Sequence, residues 1–293
     1  MKFGTYTFAH ESLPLEARLQ AIRAAGFDFV ALDSAEIAEG IALCEKLGLP
    51  IENVHLNSRG TGKLWLEDDE RITDRYCEEI AFCAANGVKS GIAHVTYGSK
   101  ILPPNEEGLR RFERLAEAAE RHRFTLCFEN TRASEHLDAV MKRLQSPYIR
   151  YCYDSGHEIG MATDTPYFDR YLKQYGDRLG ALHLHDSIPG FDLHVAPFDG
   201  ALDWERVAAA LKETAYGSQK LCAEPGGRIN AKKEGKTAEE LRRTYAAMAI
   251  AEDPDLVRFY DGYYTVYEAL ALEEILDRYL QGLKRIAALM EVK

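Results

Sequence analysis

Between Leu182 and Trp204 the chain reads L-H-L-H-D-S-I-P-G-F-D-L-H-V-A-P-F-D-G-A-L-D-W, with three histidines (His183, His185, His194) and four aspartates (Asp186, Asp192, Asp199, Asp203). Carboxylate oxygens and neutral imidazole nitrogens are the donors that a catalytic divalent metal takes. Further donors recur along the chain, each where a β-rich run finishes: His55, His94, Glu129, Asp154, His183 and Glu224. His157, Asp192 and His194 stand just beyond such runs. One strand-end histidine is ordinarily a hydrogen-bonded side chain at the edge of a core. Nine ligand types at corresponding places read as one metal site. Mixed carboxylate and imidazole donors suit Zn²⁺ or Mn²⁺, with Co²⁺ or Mg²⁺ as alternatives. Such an ion polarises a carbonyl, acidifies a hydroxyl or water, and positions a substrate. Asn130, Ser155 and Asp186 lie beside ligands, where they either orient them or serve as plain turn residues.

These donors can meet only if the chain places its strand ends on one face. The runs 2–8, 27–33, 51–55, 88–94, 124–129, 149–154, 179–185 and 220–224 read as strands, and amphipathic helices alternate with them. Asp68, Asn105, Ser134 and Asp203 stand where helix N-caps are expected. Eight β-then-α units predict a (β/α)₈ TIM barrel, whose parallel strands all finish at one end. The whole chain, 1–293, reads as a single barrel domain with an added helical segment at about 234–268. Helices are expected at 238–252 and 268–290, the last being the eighth barrel helix. Between them, R-F-Y-D-G-Y-Y-T-V-Y covers the barrel mouth, forms a homodimer contact or packs locally.

No apolar run approaches the ~20 residues of a membrane span. The N-terminus M-K-F-G-T-Y-T-F reads as a strand and not a signal peptide, so a cytoplasmic protein without membrane partners is expected. Six cysteines without a C-x-x-C pair read as buried apolar side chains. A net charge of −11 argues against an extended nucleic-acid surface.

E-N at 129–130, D-S-G-H at 154–157, H-L-H-D-S at 183–187, D-L-H-x-x-P-F-D-G-x-L-D-W at 192–204 and the late Glu224 resemble the xylose isomerase-like TIM-barrel superfamily. That superfamily joins sugar (phosphate) isomerases and epimerases with the endonuclease IV type of abasic-site nuclease. In the sugar branch, the resemblance implies a metal between Glu129, Asp154, His183 and Glu224. The two glutamates then also move protons beside the carbonyl of a small polyhydroxylated substrate, through an enediolate. His157 is implied to touch substrate oxygens, and His94 to contact substrate or a second metal.

The nuclease branch implies three zinc ions on all nine positions: His55, His94, Glu129, Asp154, His157, His183, Asp192, His194 and Glu224. For gripping a duplex the only basic, aromatic loop is N-S-R-G-T-G-K-L-W, with Arg59, Lys63 and Trp65, and the acidic run E-D-D-E follows it. The sugar reading is therefore preferred. A zinc-dependent phosphodiester hydrolase stands second, and a metal-containing barrel that binds sugar without turnover stands third. The epimerases carry an arginine after the strand-seven histidine, and this chain has none between His183 and Arg206. Substrate orientation then falls to Arg132, Arg228 or Lys100. Gly226, Gly227 and Arg228 after strand eight could cradle a phosphate, or form a plain turn.

Overall fold

Runs such as F-V-A-L-D and I-R-Y-C-Y-D are apolar on both faces, as strands must be when helices cover one side and a filled barrel the other. In the computed structural model, eight such runs are parallel strands: β1 (Lys2–Tyr6), β2 (Phe29–Asp33), β3 (Ile51–His55), β4 (Ser90–His94), β5 (Thr125–Glu129), β6 (Ile149–Asp154), β7 (Leu179–His183) and β8 (Lys220–Ala223). The structure describes residues 1–66, 70–97, 101–131, 133–160, 169–189, 191–226, 257–260, 263–267 and 270–291.

The strand order is β7-β6-β5-β4-β3-β2-β1-β8. The ring closes where Leu184 bridges Ala223: the Leu184 N–H donates to Cys222 O at 2.9 Å and the Glu224 N–H to Leu184 O at 3.3 Å. The fold is the expected (β/α)₈ barrel. Its outer helices are α1 (Leu15–Ala25), α2 (Ile37–Leu47), α3 (Arg71–Ala85), α4 (Glu106–His122), α5 (Ser134–Arg143), the short α6 (Ser155–Gly160) and α7 (Arg170–Tyr175), α8 (Trp204–Lys212) and α9 (Leu272–Glu291). α9 packs against both α1 and α8, which completes the helical ring as the eighth barrel helix must.

Two of the four expected caps operate. Asn105 Oδ1 accepts from the Gly108 N–H at 2.8 Å, and Asp203 Oδ1 from the Arg206 N–H at 3.1 Å. Ser134 is instead the first helical residue after Ala133, its hydroxyl bonded to Tyr171. Asp68 lies outside the described residues, and α3 starts after Glu70 without a side-chain cap. β1 stops at Tyr6, β7 at His183 and β8 at Ala223, each short of its expected end.

The largest difference is in the added segment. Residues 257–260 and 263–266 pair antiparallel as β9 and β10, between the helices expected at 238–252 and 268–290, where no strand was expected. The expected helix at 238–252 lies outside the described residues. No helix among the described residues is long and apolar enough to cross a membrane.

Candidate metal centre

Because the strands are parallel and in register, β3 to β7 deliver His55, His94, Glu129, Asp154 and His183 to one rim, with Glu224 one residue past β8. Glu129 pairs across the ladder with Cys152 and, on its other side, with His94. All six side chains converge. Ligand atoms of Glu129, Asp154, His183 and Glu224 lie within 4.8 Å of one another, as do those of His55, His94 and Glu129. A third group joins His157, His185, Asp192 and His194 at the same spacing.

Orphaned polar atoms test whether these groups fit a metal. Both Glu129 oxygens, Glu224 Oε2, His183 Nδ1 and Asp192 Oδ1 are buried without a hydrogen-bond partner. Imidazole nitrogens approach them closely: His157 Nδ1 is 2.9 Å from Glu129 Oε1, and His94 Nε2 is 3.1 Å from Glu129 Oε2. These contacts are short but poorly aimed for hydrogen bonding. His183 Nδ1 sits 3.4 Å from Glu129 Oε2, 3.4 Å from Glu224 Oε2 and 3.7 Å from Asp154 Oδ2. Lone pairs facing a shared centre rather than each other are what a metal would satisfy, and N/O donors of this kind suit Zn²⁺ or Mn²⁺.

Electrostatics show how tightly the groups are matched. Burial pushes the Glu129 carboxyl up, yet His183 and His94 hold it well below the usual carboxylate range. Against the same effect, His157 and His185 lower Asp154, and His194 and His157 lower Asp192. For the histidines burial acts downward and is outweighed in turn. Asp154 and Asp192 raise His157 well above normal, Asp192 raises His194 to about 9, and Glu129 raises His55. His183 is also raised well above normal: burial depresses it, and Cys152, Glu224, Tyr6 and Glu129 reverse that. In the metal-free protein, protons occupy the places a cation would take.

The 182–204 loop is built around Asp186. Its carboxylate accepts from the N–H groups of Ser187 (2.8 Å), Phe198 (3.0 Å) and Leu202 (3.1 Å) and from Trp204 Nε1 (2.6 Å). Gly200 packs against it: a Cβ there would meet Asp186 Oδ1 at 2.2 Å. Ser187 Oγ donates to Phe191 O and accepts from the Leu193 N–H, while Tyr279 of α9 donates to His194 O. The Asp186 carboxylate therefore holds the loop that presents Asp192 and His194, while its backbone oxygen lies 3.4 Å from His185 Nδ1. Burial pushes its carboxyl up to about 6 against those four donors. Asn130 clasps the Asp154 backbone at both N–H and O, at 2.8 Å each, and Ser155 Oγ donates to His185 O at 2.6 Å.

Two residues at the centre lay outside the sequence expectation. His185 Nε2 is 3.0 Å from Asp154 Oδ1, and its ring stacks on His194 with centroids 3.8 Å apart. The i, i+2 spacing of His183 and His185 was the available signal, because alternate strand residues share a face. Gly156 makes room for this ring: a Cβ there would lie 1.9 Å from His185 Cε1. Tyr6, at the end of β1, places its hydroxyl 2.9 Å from His183 Nε2.

The centre opens into a cavity of about 750 Å³, lined among others by Phe8, Glu11, Asp33, Arg59, Tyr97, Ile101 and Thr131. Trp65 is fully buried, and its indole N–H donates to Val95 O at 2.8 Å, so it is no surface wedge. The Gly226 N–H donates to His194 O at 3.4 Å and is not free to cradle a phosphate. Gly227, Arg228, Arg132 and Lys100 lie outside the described residues. The single tyrosine of the aromatic segment whose side chain is described, Tyr267, is buried against the 182–204 loop: it donates to Asp199 and accepts from the Ala196 N–H at 2.9 Å.

Residues 19–247 match the family described as xylose isomerase-like TIM barrel. Among solved structures, D-allulose 3-epimerase from Methylomonas sp. is similar at 15% identity and a TM-score of 0.65, covering 98% of each chain. The IOLI protein with a binding zinc atom is similar at 17% identity and a TM-score of 0.65, again over 98% of each. An L-ribulose 3-epimerase gives 17% identity and a TM-score of 0.63 over 100% of this chain and 99% of that one. At these identities the likeness is one of fold. A curated relative, "Uncharacterized protein y4fM" of Sinorhizobium fredii (strain NBRC 101917 / NGR234), is 39% identical over 81 residues. That match spans 26% of this chain and only 24% of the relative.

Proposed function

As the chain belongs to the xylose isomerase-like TIM-barrel family, we propose that it is a metal-dependent isomerase or epimerase of a small polyhydroxylated carbonyl compound. The observation that carries this reading is the pair Glu129 and Glu224. Both are buried, both line the cavity, both keep an oxygen free of hydrogen bonds, and both reach the position shared with Asp154 and His183. In this reading those four residues hold one divalent ion, which supplies polarisation of the substrate carbonyl and its neighbouring hydroxyl. The two glutamates remove and return the proton on the carbon beside the carbonyl, one as base and one as acid. His157, whose Nε2 faces the Asp192 carboxylate across 3.5 Å, contacts substrate oxygens. His55 and His94 bound the site on the Glu129 side. The names of the similar structures, epimerases of D-allulose and L-ribulose and a zinc-binding protein, agree with this chemistry.

The charge of the cavity favours a free sugar over a sugar phosphate. Its described lining carries Glu11, Asp33, Glu129, Asp192 and Glu224 against Arg59 and either the protons on His55, His157 and His194 or the ion that displaces them, so the balance stays negative in both states. A phosphate dianion would sit in a net negative field, and the Gly226 N–H is already used.

One observation favours a second reading, a zinc-dependent phosphodiester hydrolase: the histidine-rich groups on either side of the four-residue site provide donors for further ions. The buried Trp65 weighs against it. Elemental analysis of the purified protein, paired with assays on free ketoses and on an abasic-site duplex, tests the choice. One Zn, Mn or Co per chain with ketose turnover supports the isomerase; three zincs with duplex cleavage supports the hydrolase.

A further inference from the structure

We propose that Tyr6, held by Asn53, is the positioning residue that turns the His183 ring so that Nδ1 faces the metal position. The inference rests on the metal centre read above. His183 is fully buried, and its two nitrogens face different worlds. Nδ1 points among Glu129, Asp154 and Glu224 with no hydrogen-bond partner, whereas Nε2 lies 2.9 Å from the Tyr6 hydroxyl. That hydroxyl has one proton, which it donates to Asn53 Oδ1 at 2.5 Å. It can therefore only accept from His183, which requires the proton on Nε2. The proton that an incoming metal displaces is then the one on Nδ1, which leaves that nitrogen bare as a metal needs.

A purely structural pairing does not explain these residues. Asn53 and Tyr6 sit in the barrel interior at 1% and 0% exposure, and Asn53 Nδ2 has no partner there. A Phe–Leu pair would fill the same space without leaving a buried donor unsatisfied. The Tyr6 ring also packs edge-on against His183, with centroids 4.9 Å apart, and stacks on Phe8 at 5.0 Å. Removing the hydroxyl alone thus leaves the packing in place.

The test measures zinc affinity of the metal-free full chain by chelator competition, for wild type, Tyr6→Phe and Asn53→Leu, together with ¹⁵N-imidazole NMR of the zinc-loaded proteins. Tyr6→Phe is expected to weaken zinc binding about 10- to 100-fold, the usual effect of losing an outer partner of a ligand histidine. Wild type is expected to show zinc on His183 Nδ1 and a slowly exchanging Nε2–H, which Tyr6→Phe loses. Asn53→Leu leaves the tyrosine ring packed but frees its proton to compete for Nε2, and is expected to weaken zinc in the same direction. The inference is overturned if both variants bind zinc within threefold of wild type, or if the wild-type Nε2–H exchanges as fast as that of Tyr6→Phe. If wild type itself takes up no zinc, manganese or cobalt, the metal centre falls, and this inference falls with it.

Discussion

Asp186→Ala probes the loop that carries Asp192 and His194. The carboxylate is fully buried and accepts four hydrogen bonds, three of them from the buried donors of Ser187, Leu202 and Trp204. An unsatisfied buried donor costs roughly 1–3 kcal/mol, so stranding three costs on the order of 5 kcal/mol. Part of that is returned. Burial already pushes the Asp186 carboxyl up to about 6, a strain worth roughly 3 kcal/mol that disappears with the charge. The net loss is about 2 kcal/mol, and the midpoint of thermal unfolding should fall by about 3 °C for a chain of 293 residues. The functional effect should be larger and selective. Asp192 and His194 move with the loop, whereas Glu129, Asp154, His183 and Glu224 stand on or beside strands. A melt of the chelated protein and metal counting by mass spectrometry read both effects. A midpoint unchanged within 1 °C would refute the energetic argument. Loss of metal from the four-residue site before any change at Asp192 and His194 would refute the structural one.

Glu129→Gln should lower both metal affinity and turnover, the latter by about 10²–10⁴-fold, because Glu129 belongs to two ligand groups and to the proton transfer. Full metal content with full activity would remove it from both roles. Metal affinity should rise with pH from 6 to 9, since His157, His183 and His55 hold protons above their ordinary range and His194 does so to about 9. The ion must displace those protons, so calorimetry in buffers of different ionisation enthalpy should register their release; a flat profile would contradict the protonation pattern. Gly156→Ala should cost about 1–3 kcal/mol and displace the His185 ring, whose Cε1 would lie 1.9 Å from the new Cβ. An unshifted melting midpoint and an unchanged His185 resonance would show that the backbone yields instead.

The ring of ligands was legible because parallel barrel strands end on one face, so His55, His94, Glu129, Asp154, His183 and Glu224 could be aligned without coordinates. His185 was left out of the strand-end set, although period two puts it on the same side as His183. Tyr6 and Asn53 look in sequence like ordinary strand residues, and only the 47-residue span of their hydrogen bond reveals a link across the barrel. Trp65, beside Arg59 and Lys63, suggested a surface loop; a short 3₁₀ turn at 61–65 folds the indole into the core instead. In the added segment, Asp-Gly at 261–262 between aromatic and β-branched residues carried the signal of the β9–β10 pairing, in a stretch that had been read only for its tyrosines.

The central claim is proton transfer between Glu129 and Glu224 beside a carbonyl, and solvent-isotope exchange addresses it most directly. The metal-loaded protein would be incubated in D₂O with a panel of unphosphorylated ketoses, and deuterium at the carbon next to the carbonyl would be followed by NMR. The account predicts incorporation into at least one sugar, abolished by chelation and by Glu224→Gln. No incorporation into any sugar by fully metal-loaded protein, with cleavage of an abasic-site duplex by the same preparation, would contradict it.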